Sequence, residues 1–304
     1  MLLTEFLKEG ISVLERLYST AESRSIMLML CEAKIGTKSY THIVEPDYQI
    51  SASQEDLLRE NLERLSKGEP IQYVIGKAEF CGFEFKVGPD VLIPRPETEL
   101  MCREAISVCS RIRRMRGAYG KKAAPVKVLD LCTGSGCIAW TVALSVPGVV
   151  VTGVDISDGA LKVAAGQNFS AAIKESGAEA PTFKKADILD LESEFTNEKY
   201  DVIISNPPYI MESEKSLLRA NVLEFEPHLA LFVPDEDPLV FYRAIAEWSG
   251  RLLAPEGKGL TEINEVLGKE TFTLFKKAGF VNLDIVKDFY DKNRFIFYSK
   301  PKSQ

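Results

Sequence analysis

Val126-Lys127-Val128-Leu129-Asp130-Leu131-Cys132-Thr133-Gly134-Ser135-Gly136 is the stretch on which the architecture turns. Its first half is a short apolar run rich in β-branched residues, which reads as a buried strand. The glycines that follow permit a tight turn and close backbone approach to a ligand, beside the N-terminus of the next helix. Dinucleotide-binding folds have such a turn too, so the turn alone does not choose a cofactor.

Further apolar runs occur downstream at residues 149–155, 200–206 and 258–263, with a shorter one at 182–187, and helical patterns lie between them. Strands alternating with helices predict a doubly wound, mostly parallel α/β sheet. The end of the chain differs. Residues 280–287 and 294–298 are separated only by 288–293, too short for a parallel crossover, so this pair is expected to be antiparallel.

Upstream, residues 1–75 carry apolar positions at helical spacing and predict a small helical domain. Phe6, Ile11, Leu14, Leu17 and Tyr18 fit one face. Ile26, Met27, Leu28, Leu30 and Cys31 form a second segment. Ser53 is the expected N-cap of a third helix with Leu57, Leu58, Leu62 and Leu65 inward, ended by Gly68 and Pro70. Residues 76–99 change character: Phe80, Phe83, Phe85 and Val87 around Gly82 read as a β-hairpin. It leads into Leu92-Ile93-Pro94-Arg95-Pro96-Glu97-Thr98-Glu99, a proline-restricted loop before a helix that Thr98 is expected to cap. Residues 100–304 complete the α/β domain.

The 304 residues are 45% hydrophobic and 27% charged, with a net charge of −7. An acidic chain lacks the positive field that tracks a phosphate backbone, so broad nucleic-acid binding is not expected. Arg111, Arg113, Arg114, Arg116, Lys121 and Lys122 form the one basic run, and they read as a solvated helix end running into a loop. No apolar run approaches the ~18 residues of a membrane helix, and the acids near the start do not suit a signal peptide. A cytoplasmic protein is expected. Six scattered cysteines without a C-x-x-C pair, and only His42 and His228, predict reduced thiols and no metal site.

In doubly wound sheets the ligand sits beyond the carboxyl ends of the strands. Asp155 ends the second strand about 20 residues after the glycines, where an acid can accept from both ribose hydroxyls. Asp187 ends the third, placed to accept from an adenine amino group, with Ile188 beside it to pack on the base. Two acids in register with a glycine turn predict a nucleoside-bearing cofactor.

The fourth strand ends Ser205-Asn206-Pro207-Pro208-Tyr209-Ile210. An amide or aromatic amine nitrogen is a poor nucleophile because its lone pair is delocalised. Accepting hydrogen bonds from both of its N–H groups, on the Asn206 side-chain oxygen and the Pro207 carbonyl, makes that lone pair available. Pro207 and Pro208 limit the backbone torsions that aim the carbonyl, and Tyr209 can lie against the flat acceptor. A sulfonium methyl is already activated, so positioning supplies much of the acceleration.

Asn206-Pro207-Pro208-Tyr209 resembles the signature of amino-methyltransferases. The wider pattern resembles the HemK/PrmC family, the protein-(glutamine-N5) methyltransferases of peptide chain release factors. Over roughly residues 70–300 the likeness rests on Pro70-Ile71-Gln72-Tyr73-Val74-Ile75-Gly76, Glu79-Phe80-Cys81-Gly82, residues 92–99, Thr133–Gly136, Val154-Asp155-Ile156-Ser157, Glu226-Pro227 with Ala230-Leu231, and Glu262-Ile263. The resemblance implies a Rossmann-like class I S-adenosylmethionine-dependent methyltransferase, with a mostly parallel seven-stranded sheet whose C-terminal strand is antiparallel.

It implies cofactor contacts from Cys132, Thr133, Gly134, Ser135, Gly136, Asp155, Asp187, Ile188 and Asn206. A glutamine site is implied at Asn206, Pro207, Pro208 and Tyr209, with Arg95 nearby. The helical domain would help dock a release factor, whose Gly-Gly-Gln loop enters the cleft, and the enzyme would act as a monomer. Cys132 and Asn264 stand where the family commonly has Gly, and residues 111–125 look longer and more basic than usual. Three alternatives share the site: methylation of a ribosomal-protein glutamine, of DNA adenine, or a non-catalytic binding role.

Overall fold

The structure, a computed structural model, describes residues 1–117, 124–192 and 195–302. They form two compact units, Met1–Lys77 with Leu218–Phe225, and Ala78–Leu217 with Glu226–Gln304.

The first unit is helical: Leu3–Leu14, Thr20–Ile35, Thr41–Val44, Ala52–Ser66 and Ile71–Ile75, with Ala220–Phe225 from the later segment. Phe6, Leu14, Met27, Leu30 and Leu58 are wholly buried in its core, each contributing roughly 2 kcal/mol of burial. Gly10 lets two helices close, because a Cβ there would lie 2.2 Å from Met27 Cε. Three expectations need correction. The first helix stops at Leu14, so Leu17 lies past its end and is exposed. Leu57 also faces solvent. The N-cap of Ala52–Ser66 is Ser51 rather than Ser53. Ser51 Oγ accepts from Gln54 N at 3.2 Å while Gln54 Oε1 accepts from Ser51 N at 2.9 Å. That reciprocal box satisfies two free donors and sets the helix start two residues early.

The second unit begins as a hairpin, β1 (Lys77–Phe80) and β2 (Phe83–Lys86). Cys81 and Gly82 both have positive φ, 51° and 79°, the left-handed two-residue turn that matches strand twist. The helix Pro96–Gly117 follows. It opens at Pro96, not Thr98, because proline's fixed φ suits the first helical position. Thr98 therefore sits in the first turn with its side chain buried. Thr98, Met101, Cys102, Ala105, Val108 and Cys109 form the inward stripe. At the far end, Arg111 pairs with Glu104 at 2.9 Å, and Arg116 grips Asp201 with two bonds of 2.9 and 2.5 Å. Lys121 and Lys122 lie outside the described residues.

The main sheet comprises β3 (Val126–Leu131), β4 (Val149–Asp155), β5 (Thr182–Lys185) and β6 (Tyr200–Ser205). The short strands β7 (Ile210–Met211) and β8 (Phe232–Val233) pair in parallel with each other. Then β9 (Leu253–Glu262), β10 (Val281–Lys287) and β11 (Asn293–Ser299) complete it. The order is β10-β11-β9-β6-β3-β4-β5, seven strands with β11 antiparallel to both neighbours and the pairings β9-β6, β6-β3, β3-β4 and β4-β5 parallel. Alternate residues feed two cores. Val128, Val202, Ile204 and Leu260 face one side with Trp140, while Leu129, Leu131, Ile203 and Ile296 face the other with Trp248. Burial on both faces is why these strands read as continuous apolar runs.

The chain starts at β3, runs outward to β4 and β5, and returns to β6 on the opposite side of β3. That reversal opens a crevice at the carboxyl ends of β3 and β6. Among the described residues, no helix is long and apolar enough to cross a membrane.

Candidate active site

The glycine turn after β3 packs three left-handed residues into five: Cys132 (φ 60°), Gly134 (54°) and Gly136 (76°). Cys132 thus occupies a conformation that glycine enters freely and an L-residue enters at a cost of roughly 1–2 kcal/mol. At Gly136 a Cβ would press on Ala164, Phe183 and Trp140 at 3.0–3.1 Å, so the close packing of helix on strand needs glycine there. The turn is stitched to β4, since Thr133 N donates to the Val154 carbonyl at 2.9 Å. Asp155 holds it from below: Oδ2 accepts from Gly134 N at 2.9 Å, and Oδ1 accepts from Ser157 N at 3.0 Å. Burial pushes the Asp155 carboxyl up, and these backbone donors pull it back toward the charged form. Gln167 ties the hairpin to the turn by donating to the carbonyls of Lys86 and Ser135 at 3.0 and 3.1 Å.

One cavity brings together most of the residues singled out from sequence. Cys132, Thr133, Gly134 and Ser135 line it from the turn, Asp155 from the end of β4, Asp187 and Ile188 from beyond β5, and Asn206 and Pro208 from beyond β6. Gly136, Pro207 and Tyr209 are not in its lining. Asp187 Oδ1 accepts from Leu189 N at 2.9 Å, and the carbonyl of buried Ile188 is held by Trp248 Nε1 at 2.8 Å. Arg95 reaches the wall, but its guanidinium donates to Glu226 at 2.5 Å, and Ile93 N donates to the other Glu226 oxygen at 3.0 Å. This buried acid clamps the proline loop to the segment after residue 226.

At the end of β6, Ser205 Oγ donates to the Leu131 carbonyl at 2.8 Å and locks the two strand ends together. Asn206 Nδ2 donates to Thr98 Oγ1 at 3.2 Å. Thr98 Oγ1 donates to Glu262 Oε2 at 2.7 Å, and Tyr209 Oη donates to Glu262 Oε1 at 3.0 Å. Burial raises the Glu262 carboxyl, while these two donors and the charge of Arg294 lower it. The Tyr209 ring packs into the core rather than over the cavity. Asn264, where glycine is common in the resembling family, has an ordinary φ of −63°. It gives something glycine lacks: its Nδ2 donates to the Tyr209 carbonyl at 3.0 Å and to Glu214 at 2.9 Å.

Thr98 and Glu262 were not among the expected site residues. Glu262 carried a readable signal, an acid closing an apolar strand run, the same signal that marked Asp155. Thr98 lies in residues 92–99, which carry part of the family likeness, but no role beyond capping was expected of it. Asp130, an acid inside the β3 run, is also part of the support. It is fully buried under the turn and accepts from Thr133 Oγ1 at 2.6 Å.

Burial pushes Asp130 up to about 7 from its ordinary 3.8, against hydrogen bonds from Thr133 and the Ala139 backbone. A folded-state value raised above the unfolded one means stability is present at low pH and lost as pH rises through the folded value. Relative to Asp130→Asn, which does not titrate, the wild type should lose roughly 4 kcal/mol of stability between about pH 4 and pH 7, and no more above that. Thermal unfolding of both proteins across that range checks this. Parallel Tm–pH curves would show that Asp130 keeps its ordinary affinity for protons.

Two families match by sequence: a methyltransferase domain over residues 122–254 and a PrmC N-terminal domain over residues 5–76. A release factor glutamine methyltransferase of Bacteroides thetaiotaomicron is 38% identical, over 93% of this chain and 95% of that protein. One from Flavobacterium psychrophilum is 36% identical, over 97% and 98%. A solved release-factor-specific protein-(glutamine-N5) methyltransferase from Alicyclobacillus acidocaldarius is 28% identical and superposes with a TM-score of 0.40, covering 71% of this chain and 99% of that one.

Proposed function

Because the chain belongs to the release factor glutamine methyltransferases, we propose that it methylates the side-chain nitrogen of a release-factor glutamine, the one in a Gly-Gly-Gln loop. S-adenosylmethionine is the methyl donor. The observation that carries this reading is Asn206, which lines the same cavity as Asp155 and the glycine turn.

The residues present suit the donor. At Gly134 a Cβ would have nothing within 4 Å, so the left-handed turn leaves an open cradle beside the cavity. Asp155 keeps lone pairs on both oxygens beyond those used by Gly134 and Ser157, enough to accept from two ribose hydroxyls. Asp187 and Ile188 offer an acceptor and an apolar surface for the adenine.

When bound, S-adenosylmethionine supplies an activated sulfonium methyl and leaves as S-adenosylhomocysteine. Asn206 Oδ1 and the Pro207 carbonyl accept the two N–H groups of the glutamine amide, which turns its nitrogen lone pair out of conjugation and toward the methyl carbon. Held by the glycine turn, Asp155 and Asp187, the donor would supply the methyl group to that nitrogen and carry away the S–C bonding pair on its sulfur. The nitrogen then gives its extra proton to water, so no strong base is required. Pro207 and Pro208 hold the acceptor carbonyl in direction, and Tyr209, anchored through Glu262 and Asn264, keeps the loop in place. Arg95 acts on the substrate side by ordering the wall through Glu226.

The helical unit serves in docking the release factor, and a translation-factor substrate puts the reaction in the cytoplasm, with the enzyme acting as a monomer. The test incubates purified protein and methyl-labelled S-adenosylmethionine with a release factor, ribosomal proteins and duplex DNA in separate reactions. Label on the Gly-Gly-Gln glutamine, located by mass spectrometry and abolished by replacing that glutamine, is the expected result. Label in DNA or in ribosomal protein but not in the release factor removes the reading.

A further inference from the structure

A side-chain amide has nearly equal oxygen and nitrogen ends, so packing alone does not decide which way round Asn206 sits. The reaction needs its oxygen toward the glutamine, and a flipped amide would present N–H groups to N–H groups. We infer that Thr98, together with Glu262, is the positioning device that fixes this orientation, an inference that rests on the glutamine reading of the site.

The argument is one of hydrogen-bond directions. Thr98 has a single hydroxyl proton. Its oxygen lies 2.7 Å from Glu262 Oε2, and a carboxylate only accepts, so the proton points there. What remains on Thr98 Oγ1 is lone pairs. The group facing them at 3.2 Å must be a donor, and only the Nδ2 end of Asn206 qualifies. Oδ1 is thereby turned away from Thr98.

Glu262 is kept in this role by its own surroundings. Tyr209 Oη donates to its second oxygen at 3.0 Å, so each oxygen accepts one hydrogen bond from a neighbour. Burial raises the Glu262 carboxyl, and the hydrogen bonds from Thr98 and Tyr209 and the charge of Arg294 oppose that shift. Register supplies the rigidity, because Ser205 pairs with Thr261, so the residues that follow, Asn206 and Glu262, leave adjacent strands side by side. Thr98 arrives on the first turn of a long helix and is 2% exposed.

The test compares Thr98→Val, which keeps the volume and removes the hydroxyl, with Thr98→Ser, which keeps the hydroxyl. Each is made in wild-type and Asn206→Ala backgrounds. Turnover on the release factor is followed under excess labelled S-adenosylmethionine, and cofactor affinity by calorimetry. Thr98→Val is expected to lower kcat about 10- to 100-fold with cofactor Kd within about twofold of wild type. Thr98→Ser should recover activity to within about threefold of wild type. In the Asn206→Ala background Thr98→Val should have no further effect, because its influence passes through the amide.

The inference is overturned if Thr98→Val turns over within about twofold of wild type, if Thr98→Ser is as impaired as Thr98→Val, or if the loss persists without Asn206. A wild-type protein that labels no glutamine overturns the functional reading and this inference with it. That outcome is told apart by the wild-type lane alone.

Discussion

Asn206→Ala will lose about a thousandfold in kcat/KM for glutamine methylation, while S-adenosylmethionine affinity changes only severalfold. The substitution removes the acceptor oxygen that draws one amide proton out of the plane of conjugation. A single preorganised polar group at a reacting centre is worth on the order of 100- to 1,000-fold. Here the same group also orients the nucleophile, so the upper end is expected. Cofactor binding should survive because its other contacts come from β3, β4 and the segment after β5, and none passes through Asn206. The Thr98–Glu262 bond likewise remains, which argues against a folding defect. Stopped transfer with a normal calorimetric isotherm supports the assignment. Unchanged turnover would mean that the acceptor is not an amide held by this residue.

Asp155→Ala will weaken S-adenosylmethionine binding about a hundredfold or more, the expectation for two charge-assisted hydrogen bonds to ribose. The structure adds a second reason for a large effect. The same carboxylate receives Gly134 N and Ser157 N, so it also holds the glycine turn and the following helix start in place. Asp155→Asn should fall between the two. Its single oxygen can serve one backbone amide, while its NH2 end faces the other donor. Calorimetry on the three proteins orders them directly, and an alanine variant that binds within about threefold of wild type would detach Asp155 from the cofactor.

The order of strands and helices was legible because it depends on local periodicity. Val126–Leu131, Val149–Asp155 and Tyr200–Ser205 are apolar on both faces, and short apolar runs between helical patterns have few other readings. The antiparallel end was legible from loop length alone. Helix starts were less so. Pro96 and Ser51 won over Thr98 and Ser53 through terms that a pattern of residue types ranks poorly, a fixed φ in one case and a reciprocal cap in the other. Asp155, which ends β4, and Asp187 and Asn206, which lie just beyond the ends of β5 and β6 rather than in them, were found because their position in the fold follows from their position in a run. Glu262 obeyed the same rule and was passed over as a site residue.

By itself, then, the amino-acid order determined the doubly wound sheet, the tight glycine turn after β3 and the carboxamide just past the end of β6. All of these follow from spacing within a few residues. Only the tertiary structure decided how that carboxamide is held, because Thr98 lies 108 residues from Asn206 and 164 from Glu262. Hydrogen-bond direction is a property of three groups meeting in space, and no local pattern records which of them must donate.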